Sequence, residues 1–273
     1  MTLHIVNIGS SFAAGPGLPP QVDQHAARSG ENYASIAARA VGAKLTDLSV
    51  SGATLLNLLS EPQTSLRGKT FAPQISEIPG DADVVLVLGG GNDIRYIGGL
   101  FMDSFAAYTA YRVAARLYSW VAGGAEEPLP NLGVGELAER YGTVLDAIHA
   151  KAPEAQVIVV EYLTVLGPDV RPGVVPFDPS LIDGHRARGA RVQEATAQAV
   201  RGREAWCVRI PVASESTGHG LGSAAPWVNG FGLRELYNKF AYHPNAEGMK
   251  AVAAMVVKQM KELGIASTPS QEA

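Results

Sequence analysis

The sequence predicts an α/β fold of three layers, α/β/α, built on a five-stranded parallel sheet, and three observations point to it. Short runs rich in β-branched residues alternate with longer stretches of apolar residues at three- and four-residue spacing, the pattern of strands joined by crossover helices. Most of the strand candidates are near-continuous in apolar residues, as strands buried on both faces should be. A chain of 273 residues with 47% hydrophobic and 18% charged side chains can also bury one sizeable core.

In chain order, the first strand is expected over Leu3–Ile8, ending against Gly9. Helix Glu31–Val41 carries its apolar residues at helical spacing and leads to a second strand, Lys44–Val50. The third strand, Val84–Leu88, is apolar throughout and is followed by helices Ser104–Val121 and Gly135–Lys151. Strand Gln156–Val160, helix His185–Arg201, strand Ala205–Ile210 and helix Asn245–Leu263 complete the alternation. The Pro- and Gly-rich pieces Gly15–Pro20, Gly123–Pro130, Gly167–Pro179 and Gly218–Pro226 read as loops. With no repeat and no linker, residues 1–265 are expected to form a single domain, and 266–273 a polar tail.

Charge and cysteine usage narrow the function classes. A net charge of −4 with no block of Lys or Arg lacks the electrostatic footprint that nucleic-acid binding requires. The single cysteine, Cys207, falls in an apolar run and has no intrachain partner for a disulfide. No apolar run approaches the roughly 18 residues that span a bilayer. The first residues, Met1 to Gly9, read as a strand rather than a secretion signal, so the expected location is the cytosol, although a chain trimmed of a leader would read the same. Neither a metal nor a cofactor is expected.

In a doubly wound sheet, ligands bind at the carboxyl ends of the strands, so the residues just past each strand are the ones to inspect. After the first comes Gly9-Ser10-Ser11-Phe12-Ala13-Ala14-Gly15, small residues that permit a sharp turn presenting a hydroxyl; alone, such a serine is more often a turn or cap residue. After the second comes Ser49-Val50-Ser51-Gly52-Ala53-Thr54, where a glycine lets a backbone N–H approach a ligand. After the third comes Gly89-Gly90-Gly91-Asn92-Asp93, which adds an uncharged side-chain donor. The glycine run lacks the Lys-Ser/Thr of a P-loop and is not a dinucleotide fingerprint. At the head of the last helix stands Ala241-Tyr242-His243-Pro244-Asn245. A lone histidine there is usually structural, and among the six histidines only His219 rivals His243 in placement.

Ser, Gly, Asn and His in this order at four such positions are jointly specific. The blocks Gly9–Gly15, Gly52, Gly89–Asp93 and His243–Asn245 resemble those of the GDSL/SGNH hydrolase family, over nearly the whole chain. The stretch from Gly218-His219-Gly220-Leu221 to Trp227-Val228-Asn229-Gly230 is similar to the branch of that family grouped with a Streptomyces esterase. The resemblance implies a flavodoxin-like fold and hydrolysis of a carboxylic ester through an acyl-enzyme. Ser11 would be the nucleophile and His243 the general base, with the N–H groups of Ser11 and Gly52 and the Asn92 side chain forming the oxyanion hole.

Two positions depart from the family. The aspartate of its Gly-Asp-Ser is Ser10 here, and the aspartate usually found three residues before the histidine is Phe240. A carbonyl between Tyr237 and Ala241 accepting the ring N–H would give a Ser-His dyad, the preferred reading. The alternatives are a carboxylate from elsewhere, with Asp93 the nearest by motif, or loss of activity; Glu247 lies a turn into the helix and should point away. The aromatic-rich stretch from Arg95 to Pro130 begins just past Asn92, so Tyr96 and Phe101, with Trp227, are candidates to line a pocket for a short or medium acyl ester, an acyl lipid among them. An acyltransferase on the same acyl-enzyme and a non-catalytic binding protein on the same scaffold are the competing functions.

Overall fold

The computed structural model describes residues 2–65, 67–107, 132–232 and 240–266. Five parallel strands form the central sheet: β1 (His4–Gly9), β2 (Lys44–Asp47), β3 (Val84–Leu88), β4 (Gln156–Val160) and β5 (Cys207–Ile210). Their spatial order is β2-β1-β3-β4-β5. This is the flavodoxin-like 2-1-3-4-5 arrangement, whose strand order reverses between β1 and β3. Register is in step across the sheet, with Ile5 opposite Val84 and Val85 opposite Val157. Every residue of β1 and β3 is buried, which explains their lack of an apolar/polar alternation.

The helices are α1 (Ser11–Ala14), α2 (Tyr33–Val41), α3 (Leu55–Leu59), α4 (Tyr96–Ala107), α5 (Val134–Lys151), α6 (Ile182–Val200), α7 (Val212–Glu215) and α8 (Ala246–Glu262). Helices α2 and α8 pack on each other, whereas α3, α4, α5 and α6 form a second packed group. The sheet lies between them, so the fold has three layers. One hydrophobic cluster runs from Ile5 through Val159 to Met260. Cys207 is fully buried in it, and burial pushes its thiol pKa up to about 12, as suits an inert core residue. Among the described residues, no helix is long and apolar enough to cross a membrane.

Two differences from the sequence reading have physical causes. Helix α4 begins at Tyr96 rather than Ser104; Gly98 and Gly99 depress its helical signal, but Arg95 turns into the left-handed region (φ +52°) and Tyr96 N–H bonds to the Gly91 carbonyl, starting the helix early. The short helix α3 is not evident from periodicity. It is set by a capping box in which the Thr54 and Asn57 side chains bond reciprocally to each other's backbone N–H. The remainder of the Ser104–Val121 expectation, including Tyr108, Tyr111, Tyr118 and Trp120, lies outside the described residues, as does the tail from 267 onward.

Candidate active site

The reversal of strand order brings the ends of β1 and β3 side by side, and with them the turns that hold Ser11 and Asn92. At Gly9 the chain takes φ +149°, and a Cβ there would overlap the Leu88 carbonyl oxygen, so only glycine allows β1 and β3 to meet this closely. The Ser10 N–H then bonds to that same oxygen at 3.0 Å. Gln74 clamps the turn from the other side: its Oε1 accepts from Gly9 N–H (2.8 Å) and its Nε2 donates to the Gly9 carbonyl (3.0 Å). Ser10 caps α1, its carbonyl accepting from the N–H groups of Ala13 and Ala14.

Ser11 therefore opens α1 at the mouth of the sheet, 7% exposed. Its hydroxyl makes no hydrogen bond to another described residue, and its N–H lies in the first helical turn, where no intrahelical acceptor exists. The second turn is held by a half-buried carboxylate. Asp47 accepts from Asn7 Nδ2, Asn32 Nδ2 and both the N–H and hydroxyl of Ser49, at 2.6–3.0 Å. From Ser49 the chain turns through Gly52 at φ +87°, a conformation that favours glycine. Ser51 N–H bonds to the Ala26 carbonyl and Ala53 N–H to that of Val50. Among the described residues, the N–H groups of Ser11 and Gly52 have no backbone acceptor, so both are available to an anion.

Asn92 Nδ2 donates to the Ala53 carbonyl at 2.8 Å, which orients its amide toward the Gly52 turn and leaves its second N–H for a ligand. The neighbouring Asp93 has a different task from the one considered for it above. Its Oδ2 accepts from Leu55 N–H (2.9 Å) at the start of α3, and its Oδ1 accepts from Arg140 (3.0 Å), so the carboxylate staples the Asn92 turn to α3 and α5. Burial raises its pKa despite those donors.

His243 lies beside the Ser11 turn, its ring 5.4 Å from that of Phe12. Its Nδ1 is 2.9 Å from the Ala241 carbonyl oxygen. A carbonyl can only accept, so Nδ1 carries the proton and Nε2 presents its lone pair. Desolvation of the ring pushes its pKa down to about 4 from the ordinary 6.5. Phe240, where the family places its acid, instead packs its ring on Gly17, which takes φ +78° and has no Cβ to obstruct it. Glu247 is 68% exposed and paired with Lys250 on the surface.

The histidine's main chain is fixed by a short antiparallel pairing with Val228–Asn229. Asn229 N–H donates to the His243 carbonyl (2.8 Å) and Tyr242 N–H to the Asn229 carbonyl (2.9 Å). Tyr242 takes φ +63°, fully buried, with its hydroxyl bonded to Ser104 of α4. His219 is occupied elsewhere: its ring lies flat on Trp227, 3.8 Å between centroids, and its Nδ1 faces the Ala225 carbonyl at 2.8 Å.

The pocket candidates separate. Tyr96 is only 4% exposed, its ring edge-on to Tyr162 at 6.1 Å and its hydroxyl against Gly189, so it belongs to the core behind the site. Trp227 uses its ring on His219, and its carbonyl accepts from Asn245 N–H (2.9 Å) at the start of α8. Phe101 alone sits in a half-buried aromatic group, 6.4 Å from Phe105 and 5.8 Å from Phe231, which in turn stacks on Tyr242 at 5.9 Å. Gln74, Ser104 and Tyr162 have no motif to announce them. Tyr162 does stand just past β4, a strand end like the others.

Of the known proteins compared, Lipase 2 of Streptomyces coelicolor is 25% identical over 277 residues, covering 92% of this chain and 84% of that one. The extracellular lipase of Streptomyces rimosus shares the fold with a TM-score of 0.64 and 22% identity, over 94% of this chain and 99% of that one. Phospholipase A1 from Streptomyces albidoflavus NA297 does so with a TM-score of 0.66 and 18% identity, over 96% and 100%. The model of the GDSL-like lipase/acylhydrolase family matches residues 8–251. That match begins in β1 and ends within the last helix, taking in every turn that carries the serine, glycine, asparagine and histidine described above, and the chain belongs to the GDSL-like lipase/acylhydrolase family of hydrolases.

Proposed function

We propose that this chain is a serine carboxylic-ester hydrolase working through a Ser11–His243 dyad. The observation that carries the reading is the contact of His243 Nδ1 with the Ala241 carbonyl, which leaves Nε2 unprotonated on the ring beside the nucleophile turn. Ser11 Oγ attacks the ester carbonyl as Nε2 takes its proton, and the oxyanion settles against the N–H groups of Ser11 and Gly52 and the Asn92 amide. Nε2 then protonates the departing alcohol, leaving an acyl-Ser11 ester. Water, deprotonated by the same nitrogen, attacks this ester and releases the acid. The Ala241 carbonyl does the positioning of the absent carboxylate by holding the tautomer, and its dipole supports the imidazolium with less charge.

The substrate is a short or medium acyl ester, an acyl lipid among them. The aromatic group of Phe101, Phe105 and Phe231, continuous with Tyr242 next to the base, supports this assignment, as does the name of the S. coelicolor relative. Purified protein should release p-nitrophenol from a series of p-nitrophenyl acyl esters and should be labelled at Ser11 by a fluorophosphonate. Absence of both turnover and labelling would overturn the reading. Acyl transfer to an added alcohol in preference to water would make it a transferase on the same acyl-enzyme.

Two further results are expected. Asn92→Ala should lower kcat by roughly 100- to 1000-fold with little change in KM, since the donor matters chiefly once the oxygen carries charge. The reaction needs neutral His243, and desolvation disfavours its charged form, so kcat/KM should stay level as pH falls from about 8 to about 5. It should then decline by about tenfold per pH unit below the ring's pKa of about 4. An acid limb centred at the ordinary histidine value of 6.5 would contradict the desolvated ring.

A further inference from the structure

Behind the site, Tyr162 reaches both halves of the oxyanion hole at once. Its hydroxyl shares a 2.8 Å hydrogen bond with Ser10 Oγ and accepts from the Gly91 N–H at 3.2 Å. Ser10 immediately precedes Ser11, and Gly91 immediately precedes Asn92. One phenol oxygen thus grips the residue before each of two donors, on turns that follow different strands. Ser10 is fully buried and Tyr162 is 4% exposed, so water does not compete for these bonds.

The surroundings hold the phenol in place. Its ring packs on Phe12 at 4.6 Å, and a Cβ at Gly91 would come within 2.8 Å of its oxygen, so glycine is what admits the hydroxyl to that N–H. Burial pushes the Tyr162 pKa up to about 12, which keeps the group a neutral hydroxyl wherever the enzyme works. Asn92 in turn bonds to the Ala53 carbonyl beside Gly52. The three donors are therefore linked in one chain of contacts, and Tyr162 is the link between the turns that follow β1 and β3. Ser10, where the family has aspartate, supplies a neutral hydroxyl suited to a neutral phenol in a dry slot.

We propose that Tyr162 is a positioning residue that sets the separation of the Ser11 and Asn92 turns, with Ser10 as its partner, so that the donors converge on one oxygen. The proposal rests on the oxyanion-hole reading given above. It predicts an effect on the chemical step rather than on substrate binding, because donor spacing matters most when charge develops.

The test is p-nitrophenyl ester kinetics of Tyr162→Phe, Asn92→Ala and the double variant at 25 °C, with folding checked by near-UV circular dichroism. Tyr162→Phe is expected to lower kcat at least tenfold with KM within about twofold. In its background, Asn92→Ala should cost less than about tenfold instead of its full penalty, because a displaced donor has less to lose. A Tyr162→Phe enzyme of unchanged kcat, even with a lower melting temperature, overturns the proposal, as do penalties that multiply in full. Ser10→Ala keeps the phenol and removes its partner; it should show the same loss of kcat at constant KM in weaker form, and it decides the matter if Tyr162→Phe does not fold. Asn92→Ala as fast as the wild type would overturn the oxyanion-hole reading and the proposal together, whereas a normal Asn92→Ala penalty with undisturbed Tyr162→Phe overturns the proposal alone.

Discussion

Replacing Ser11 with alanine is expected to lower kcat for a p-nitrophenyl ester by roughly ten-thousand-fold or more, with KM little changed. On the proposed mechanism its hydroxyl is the atom that becomes acylated, so removing it closes the covalent route. The proposed oxyanion hole would still act on direct water attack and keep a residual rate above that of the uncatalysed reaction. The fold should be undisturbed, since the Ser11 hydroxyl has no hydrogen bond to another described residue and Ser10, not Ser11, caps the helix. The variant should therefore melt with the wild type and fail to react with a fluorophosphonate. Turnover equal to wild type would remove Ser11 from the mechanism.

His243→Ala should cost about as much, because in the proposed dyad nucleophile and base act as a unit and removing either disables the same step. The loss should appear in kcat at every pH above the acid limb. The control is His219→Ala, expected to stay within about threefold of wild type. The His219 ring is spent on Trp227 and the Ala225 carbonyl, and it enters the site only through the loop that Trp227 helps to hold. If His219→Ala abolished turnover and His243→Ala did not, the base would have been misassigned. Introducing aspartate at Phe240 should not improve the enzyme, since that side chain packs on Gly17, where a carboxylate would meet an apolar Cα instead of an imidazole N–H.

Much of the scaffold is legible in the one-dimensional pattern. Val84–Leu88 and Gln156–Val160 are found at their expected bounds because a doubly buried strand is a near-continuous apolar run, broken here only by the half-buried Gln156 at the start of the second, a signal that needs no partner to interpret. Helices Tyr33–Val41 and Val134–Lys151 are likewise visible in their own periodicity. Tyr96–Ala107 is not, because its start is decided by a left-handed Arg95 and a bond to Gly91 rather than by composition. The candidate site divides in the same way. Ser11, Gly52, Asn92 and His243 stand at strand and helix ends, in blocks that a sequence can display.

The residues that hold those four in place come from segments with no local signature. Gln74 reaches Gly9 across 65 positions, and Tyr162 reaches Ser10 across 152. Their roles exist only once the ends of β1, β3 and β4 lie together. The same holds for the partner of the His243 ring: the sequence by itself shows that Phe240 is not an acid, but which oxygen faces the ring is settled by the left-handed turn at Tyr242 and its pairing with Asn229, which aim the Ala241 carbonyl at Nδ1. Burial and hydrogen-bond geometry are properties of surfaces brought together. The sequence by itself therefore determined the parallel sheet and the kind of groups at its edge, and only the tertiary structure decided how they are spaced, oriented and tuned.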